Sequence, residues 1–233
     1  MKKIFLAVLL LLLGCYGLWQ LSSARSFQVF GELVQQVDTR EKVISLTFDD
    51  GPSRAYTDEV LSVLAHYEVQ ATFFLTGKEM AENPEHTKRL LASGHQLANH
   101  SFSHPRMVLM SQTAIAKEIE QTDLLIRQAG YQGDIVFRPP YGKKLFGLPW
   151  YLQQHNRLTV MWDLEPESDA ALAKDARAMA QYVIANAKPG SIILLHVMYQ
   201  SRQSSRDALP LIIAGLQQQG YRFVTVNTLL QAR

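Results

Sequence analysis

Seven short, mostly apolar runs recur between residues 42 and 226, and each is followed by a helical or loop stretch. The runs cover residues 42–48, 71–75, 96–99, 135–138, 158–164, 191–195 and 221–226. Between them apolar residues return at helical spacing: Val60, Leu61, Leu64 and Tyr67 in 57–67, and Ile115, Ile119, Leu124 and Leu125 in 113–129. Further helices are expected at 84–92, with Asn83 as cap and Pro84 in the first turn, and at 148–154, 170–187 and 208–219. Alternation of this kind predicts a mostly parallel sheet joined by right-handed crossovers. Seven units over about 190 residues suit a small, irregular barrel better than a full eightfold one. No linker or low-complexity tract interrupts them, so a single domain over residues 42–231 is expected, behind a spacer at 25–41.

The chain has 233 residues, 47% of them hydrophobic and 19% charged, enough for a sizeable core without cross-links. Its one cysteine, Cys15, excludes an internal disulfide. Residues 1–24 stand apart. Lys2 and Lys3 precede an unbroken apolar run over 4–13, the pattern of an export signal. Three endings fit it: cleavage before Cys15 at the lipobox-like Leu11-Leu12-Leu13-Gly14-Cys15, cleavage after Ser22-Ser23-Ala24, or an uncleaved membrane anchor over 4–21. Lys2 and Lys3 account for the whole net charge of +2, since residues 1–24 hold no acid. The remainder is neutral and has no basic run, which argues against a nucleic-acid partner.

Polar residues gather at the C-terminal ends of the predicted strands: Asp49 and Asp50, Asn99 and His100, Arg138, Asp163 and Glu165, and His196. Loops at those ends form the active-site face of barrels and open α/β sheets alike. In Thr47-Phe48-Asp49-Asp50-Gly51-Pro52, neighbouring side chains of an extended chain point in opposite directions, so the two aspartates cannot share one task. A divalent cation held by one, with the other free as a base, would relieve their repulsion. His100 and His104 are four residues apart, and Pro105 turns the chain toward a tight loop there. Two histidines with one aspartate make an open zinc site. The same set also fits the facial triad of an iron(II) oxygenase.

TFDDGP (47–52), HSFSH (100–104), RPPYG (138–142), WDLEP (162–166) and ILLH (193–196) resemble, in this order, the five motifs of the polysaccharide deacetylases, the NodB-homology family of carbohydrate esterases. GYRFVTV (220–226) is similar to that family's closing strand. The resemblance covers roughly residues 42–230 and implies a distorted (β/α)7 barrel. It implies Asp49 as general base and Asp50, His100 and His104 as ligands of a divalent metal, zinc foremost. Arg138 would pair with Asp49, and Tyr141 would line the substrate groove and offer its backbone N–H to the oxyanion. Leu194 would shape the pocket for the acetyl methyl, and His196 would be the general acid. Glycoside hydrolysis fits less well, because it needs carboxylates on opposite sides of one bond and these two are adjacent.

The sequence departs from the family pattern at the fourth motif, where Asp-x-x-Asp-Trp gives way to Glu165-Pro166-Glu167-Ser168. In that register Glu165 would orient His196, with Asp163 as the alternative. Lys143 and Lys144 read as solvated loop charges. The expectation is an exported, membrane-tethered, metal-dependent N-deacetylase of an acetylated amino-sugar glycan in the periplasm or cell envelope. Two other readings are a deacylase or deformylase of a lipid-linked amino sugar and a non-catalytic carbohydrate-binding protein on the same scaffold.

Overall fold

The computed structural model describes residues 1–233. Seven strands alternate with helices: β1 (Leu33–Val34), β2 (Val43–Asp49), β3 (Thr72–Leu75), β4 (Gln96–Asn99), β5 (Thr159–Val160), β6 (Ile192–His196) and β7 (Arg222–Phe223). The helices are α1 (Lys2–Ser22), α2 (Thr57–His66), α3 (Gly77–Glu82), α4 (Pro84–Ala92), α5 (Gln112–Gln128), α6 (Gly147–Gln154), α7 (Ala176–Asn186), α8 (Gln203–Gln218) and α9 (Val226–Leu230).

Parallel pairing runs β4-β3-β2-β6, and β7 pairs with the lower end of β2 at Val43–Arg222 and Ile44–Phe223. Single parallel bridges, Asn99 to Phe137, Phe137 to Thr159 and Leu164 to Ile193, carry the sheet from β4 back to β6 and close the ring. This is a distorted α/β barrel. Two expected strands are shorter than read: Pro139-Pro140 cuts 135–138 down to the bridging residue Phe137, and 158–164 keeps the two-residue β5 and a separate bridge at Leu164. The stretch expected as a spacer is partly built into the barrel. Leu33 and Val34 pair with Thr159 and Val160, and Val37 is buried.

The period-2 alternation of the strands sorts their side chains into two cores. Ile44, Leu46 and Phe48 of β2, Phe73 and Leu75 of β3, and Ile193 and Leu195 of β6 pack outward against the helices. Val43, Phe74, Ala98, Ile192 and Leu194 fill the barrel interior with Val160, Met161 and Trp162. Asp49 shares the parity of Val43, so β2 delivers its carboxylate to the inside of the barrel at the C-terminal mouth.

Candidate active site

The mouth is a cleft of about 460 Å³, and Asp49, Asp50, His100, His104, Tyr141, Leu194 and His196 all line it. Register explains the first convergence. Asp49 lies directly across the ladder from His196, and both end their strands. The chain then turns at Asp50, whose φ of 74° throws its carboxylate away from the direction of Asp49. The two aspartates therefore part, as adjacent residues at a strand end must if each is to do a different job.

Arg138 lies beneath the cleft, fully buried. Its Nη1 donates to Asp49 Oδ1 at 2.6 Å and to Thr47 Oγ1 at 2.9 Å. Nη2 donates to the Met161 carbonyl at 3.0 Å and Nε to that of Val160 at 3.2 Å, so the charge is both paired and hydrogen-bonded. The guanidinium stacks over Phe74 at 3.9 Å. Burial alone would raise the Asp49 carboxyl, but Arg138, then His100 and His196, hold it below its ordinary value. Asp49 is thus ionised and fixed.

His100 and His104 sit on a loop, with Ser101 and His104 at positive φ. Asn99 Oδ1 accepts from Ser101 N–H at 2.8 Å, Ser101 Oγ from His104 N–H at 3.1 Å, and Glu118 from the N–H groups of Phe102 and Ser103. The rings lie 4.9 Å apart. His100 Nδ1 donates to the Arg138 carbonyl at 2.8 Å, because a carbonyl only accepts, and this leaves the Nε2 lone pair facing the cleft. Burial lowers the pKa of His100 to about 4, so the ring is neutral at pH 7.

One ligand atom each from Asp50, His100 and His104 falls within 4.8 Å of the others, the arrangement of a possible metal site. The donor set fits a divalent ion: a neutral imidazole with its lone pair free, a second imidazole depressed by burial, and a carboxylate. Burial, with Asp49 and Glu79 adding, pushes Asp50 up to about 7 against the opposing charge of His196. A cation would reverse that cost, since it competes directly with the proton.

His196 differs from the expectation in its partner. Its Nδ1 meets Glu167 Oε2 at 2.5 Å, and its backbone N–H donates to the same carboxylate at 3.1 Å. Glu167 also accepts from Ser205 Oγ. Glu165, the acid expected there, instead accepts from Arg25 Nη2 at 2.8 Å and from Trp162 Nε1 at 2.9 Å. Asp163 is no substitute. It accepts from Ser191 Oγ and Ile192 N–H, four residues and roughly 13 Å upstream of His196 along β6. The cause is local: Pro166 opens a single 3-10 turn, Pro166–Ser168, which swings Glu167 toward β6. Burial would lower the pKa of His196, but Glu167, then Asp49 and Asp50, raise it to about 9.

Tyr141, at φ 57° and exposed, has its ring centroid 4.6 Å from that of His104, the planes tilted by 59°, and the Arg106 guanidinium lies 4.4 Å from the centroid of the tyrosine ring. Leu194 projects from β6 into the interior and lines the same cleft as Asp50, His100 and His104. Lys143 and Lys144, expected in solvent, are buried and hydrogen-bonded to Ser22, Ser23 and Ala24.

Comparison with known proteins agrees with this architecture. Residues 36–158, more than half of the chain, match the polysaccharide deacetylase family. A peptidoglycan-N-acetylglucosamine deacetylase of Bacillus cereus is 33% identical over 205 residues, which span 86% of this chain and 94% of that one. The peptidoglycan-N-acetylmuramic acid deacetylase PdaC of Bacillus subtilis is 36% identical over 201 residues, covering 85% of this chain but 41% of the longer relative. Among solved structures, a peptidoglycan N-acetylglucosamine deacetylase in complex with 4-naphthalen-1-yl-N-oxidanyl-benzamide superposes with a TM-score of 0.80 at 30% identity, over 86% of this chain and 94% of that one. The barrel, with acids and histidines at its C-terminal mouth, has the architecture of a carbohydrate esterase, and the chain belongs to the polysaccharide deacetylase family.

Proposed function

We propose that this chain is a metal-dependent N-deacetylase that removes acetyl groups from the amino sugars of a cell-envelope glycan. One observation carries the reading: three potential ligands, a fixed carboxylate and an ion-paired imidazole meet in a single cleft. Asp50, His100 and His104 would hold the ion, with zinc the best match to two imidazoles and one carboxylate. Such an ion supplies Lewis acidity toward an amide carbonyl and toward water.

The remaining work falls to the chain. Asp49, kept ionised by Arg138, accepts the proton of the attacking water. The Tyr141 backbone N–H serves the oxygen that becomes negative as the carbonyl turns tetrahedral. An amine leaves an amide only when protonated. His196 is charged at neutral pH, with Nδ1 committed to Glu167, so Nε2 is the atom that delivers the proton to nitrogen. Leu194 packs against the acetyl methyl.

Helix α1 supports an exported, tethered location. Its 21 residues span about 30 Å, enough for a bilayer core, and none of its side chains before Ser22 is buried. The test separates metal binding from turnover. His104→Ala and Asp50→Asn lose bound metal by elemental analysis, whereas Asp49→Asn keeps it and releases amine from acetylated chito-oligomers at least about 100-fold more slowly. An Asp49→Asn chain of full activity would remove Asp49 from the reaction.

A further inference from the structure

The junction between α1 and the barrel is built into the cleft. Ser22 is completely buried, and its carbonyl accepts from the Lys144 backbone N–H at 2.8 Å. The Lys143 ammonium donates to the hydroxyls of Ser22 and Ser23 and lies 3.6 Å over the ring of Trp19. The Lys144 ammonium, also buried, donates to the Ala24 carbonyl. Neither lysine has a carboxylate within ion-pair distance. A buried ammonium is costly unless its donors are satisfied, and here the acceptors are supplied by the segment that follows the apolar helix. Two lysines are thus committed to fixing Ser22, Ser23 and Ala24 in place.

The next residue faces the reaction. Ser23 and Arg25 line the same cleft as Asp50 and His104. Arg25 Nη2 donates to Glu165 at 2.8 Å, and its guanidinium lies 5.0 Å over Trp162, whose own N–H reaches Glu165. With the arginine side chain 39% exposed and only Nη2 bonded within the protein, the planar fork is held at the cleft wall with N–H donors left over.

We propose that residues 22–25 form a wall of the substrate cleft, with Arg25 as a specificity-determining residue that donates to oxygens of the glycan beside the acetylated sugar. This rests on the deacetylase reading for the identity of the ligand, but not for the fate of the segment. A chain cut after Ala24 would begin at Arg25 and leave the Lys143 and Lys144 ammonium groups without the acceptors described above. Cleavage before Cys15, or no cleavage, keeps the wall intact. The same junction holds the cleft beside the end of α1, so a tethered chain presents its active site to glycan close to the membrane.

Two measurements on the full chain, expressed in a bacterial host that exports it and purified in detergent, test the proposal. The first is the intact mass and N-terminal sequence of the mature protein, expected to retain Ser22. A mature N-terminus at Arg25 would overturn the proposal whatever the activity. The second is steady-state kinetics of Arg25→Ala on acetylated chito-oligomers. KM is expected to rise roughly 3- to 10-fold with kcat within about twofold, because a contact made alike in ground and transition states affects binding alone. Arg25→Lys, which keeps charge but loses the fork, should fall between the two. Lys144→Met touches no substrate and should raise KM in the same direction by releasing the segment. An unchanged KM in Arg25→Ala refutes the role of Arg25. A wild-type chain that deacetylates no amino-sugar glycan counts against the proposed function, and the mature N-terminus still decides whether the segment is retained.

Discussion

At the scale of single residues, the charge of His196 depends on Glu167. Glu167→Gln keeps the shape of the side chain and removes the carboxylate that holds Nδ1. The expected result is a kcat about 10- to 100-fold lower, with KM and bound metal little changed, measured by amine release and elemental analysis. Glu165→Gln should leave kcat far closer to wild type, since that carboxylate engages Arg25 and Trp162. The pH dependence has a definite sign. The folded pKa of His196, about 9, lies above the ordinary imidazole value of 6.5, so its pairing stabilises the fold fully below about pH 6.5. That stabilisation is lost as pH rises through about 9. Lys144 works in the opposite sense: burial lowers its folded pKa from 10.5 to about 8, so the cost of its charge grows as pH falls from 10.5 and is complete below about 8. The informative quantity is therefore a difference between two chains. With chelator present, the gap in urea midpoint between wild type and Glu167→Gln should be wide at pH 6 and nearly closed at pH 10.

At the scale of elements, the barrel depends on one close approach between the strand-rich N-terminal stretch and β6. Gly190, at φ 78°, donates to the Val43 carbonyl at 2.8 Å and accepts from Val37 N–H at 2.9 Å. A Cβ placed there would lie 1.8 Å from the Val37 carbonyl oxygen. Gly190→Ala therefore meets both a disfavoured backbone region and a backbone clash, with a cost of roughly 2–4 kcal/mol. For a chain of this size that is a fall in Tm of roughly 5–10 °C, readable by thermal melting. The convergence of Asp49, Asp50, Arg138 and His196 on one cleft was legible in the sequence from their places at the ends of the expected strands. Register sets Asp49 opposite His196, whereas Asp50 follows its strand at φ 74° and Arg138 follows the single bridge at Phe137. The acid that meets His196 was not legible, because a one-turn helix opened by Pro166 decides whether Glu165 or Glu167 faces β6. The paired acids on either side of Pro166 were the only sequence signal of that choice.

At the scale of the whole molecule, the barrel class was readable from the alternation of apolar runs, and six of the seven expected runs carry strands; the run 135–138 keeps only the bridging residue Phe137, and β1 was not expected. What the sequence hid was how residues 22–40 dock onto the barrel. Two-residue strands such as β1 have too little periodicity to register, and lysines in a loop give no sign that their partners lie about 120 residues upstream. Those contacts bring the N-terminal segment to the lining of the cleft.

The central claim is that Asp50, His100 and His104 hold a divalent cation at which an acetylated amino sugar is hydrolysed. Its most direct test is release of acetate from acetylated chito-oligomers or peptidoglycan by the full chain, with and without chelator, followed by added zinc. The account predicts release that chelation abolishes and zinc restores. Release that persists undiminished in metal-free protein, or none from fully metal-loaded protein on any acetylated amino-sugar glycan, would contradict it.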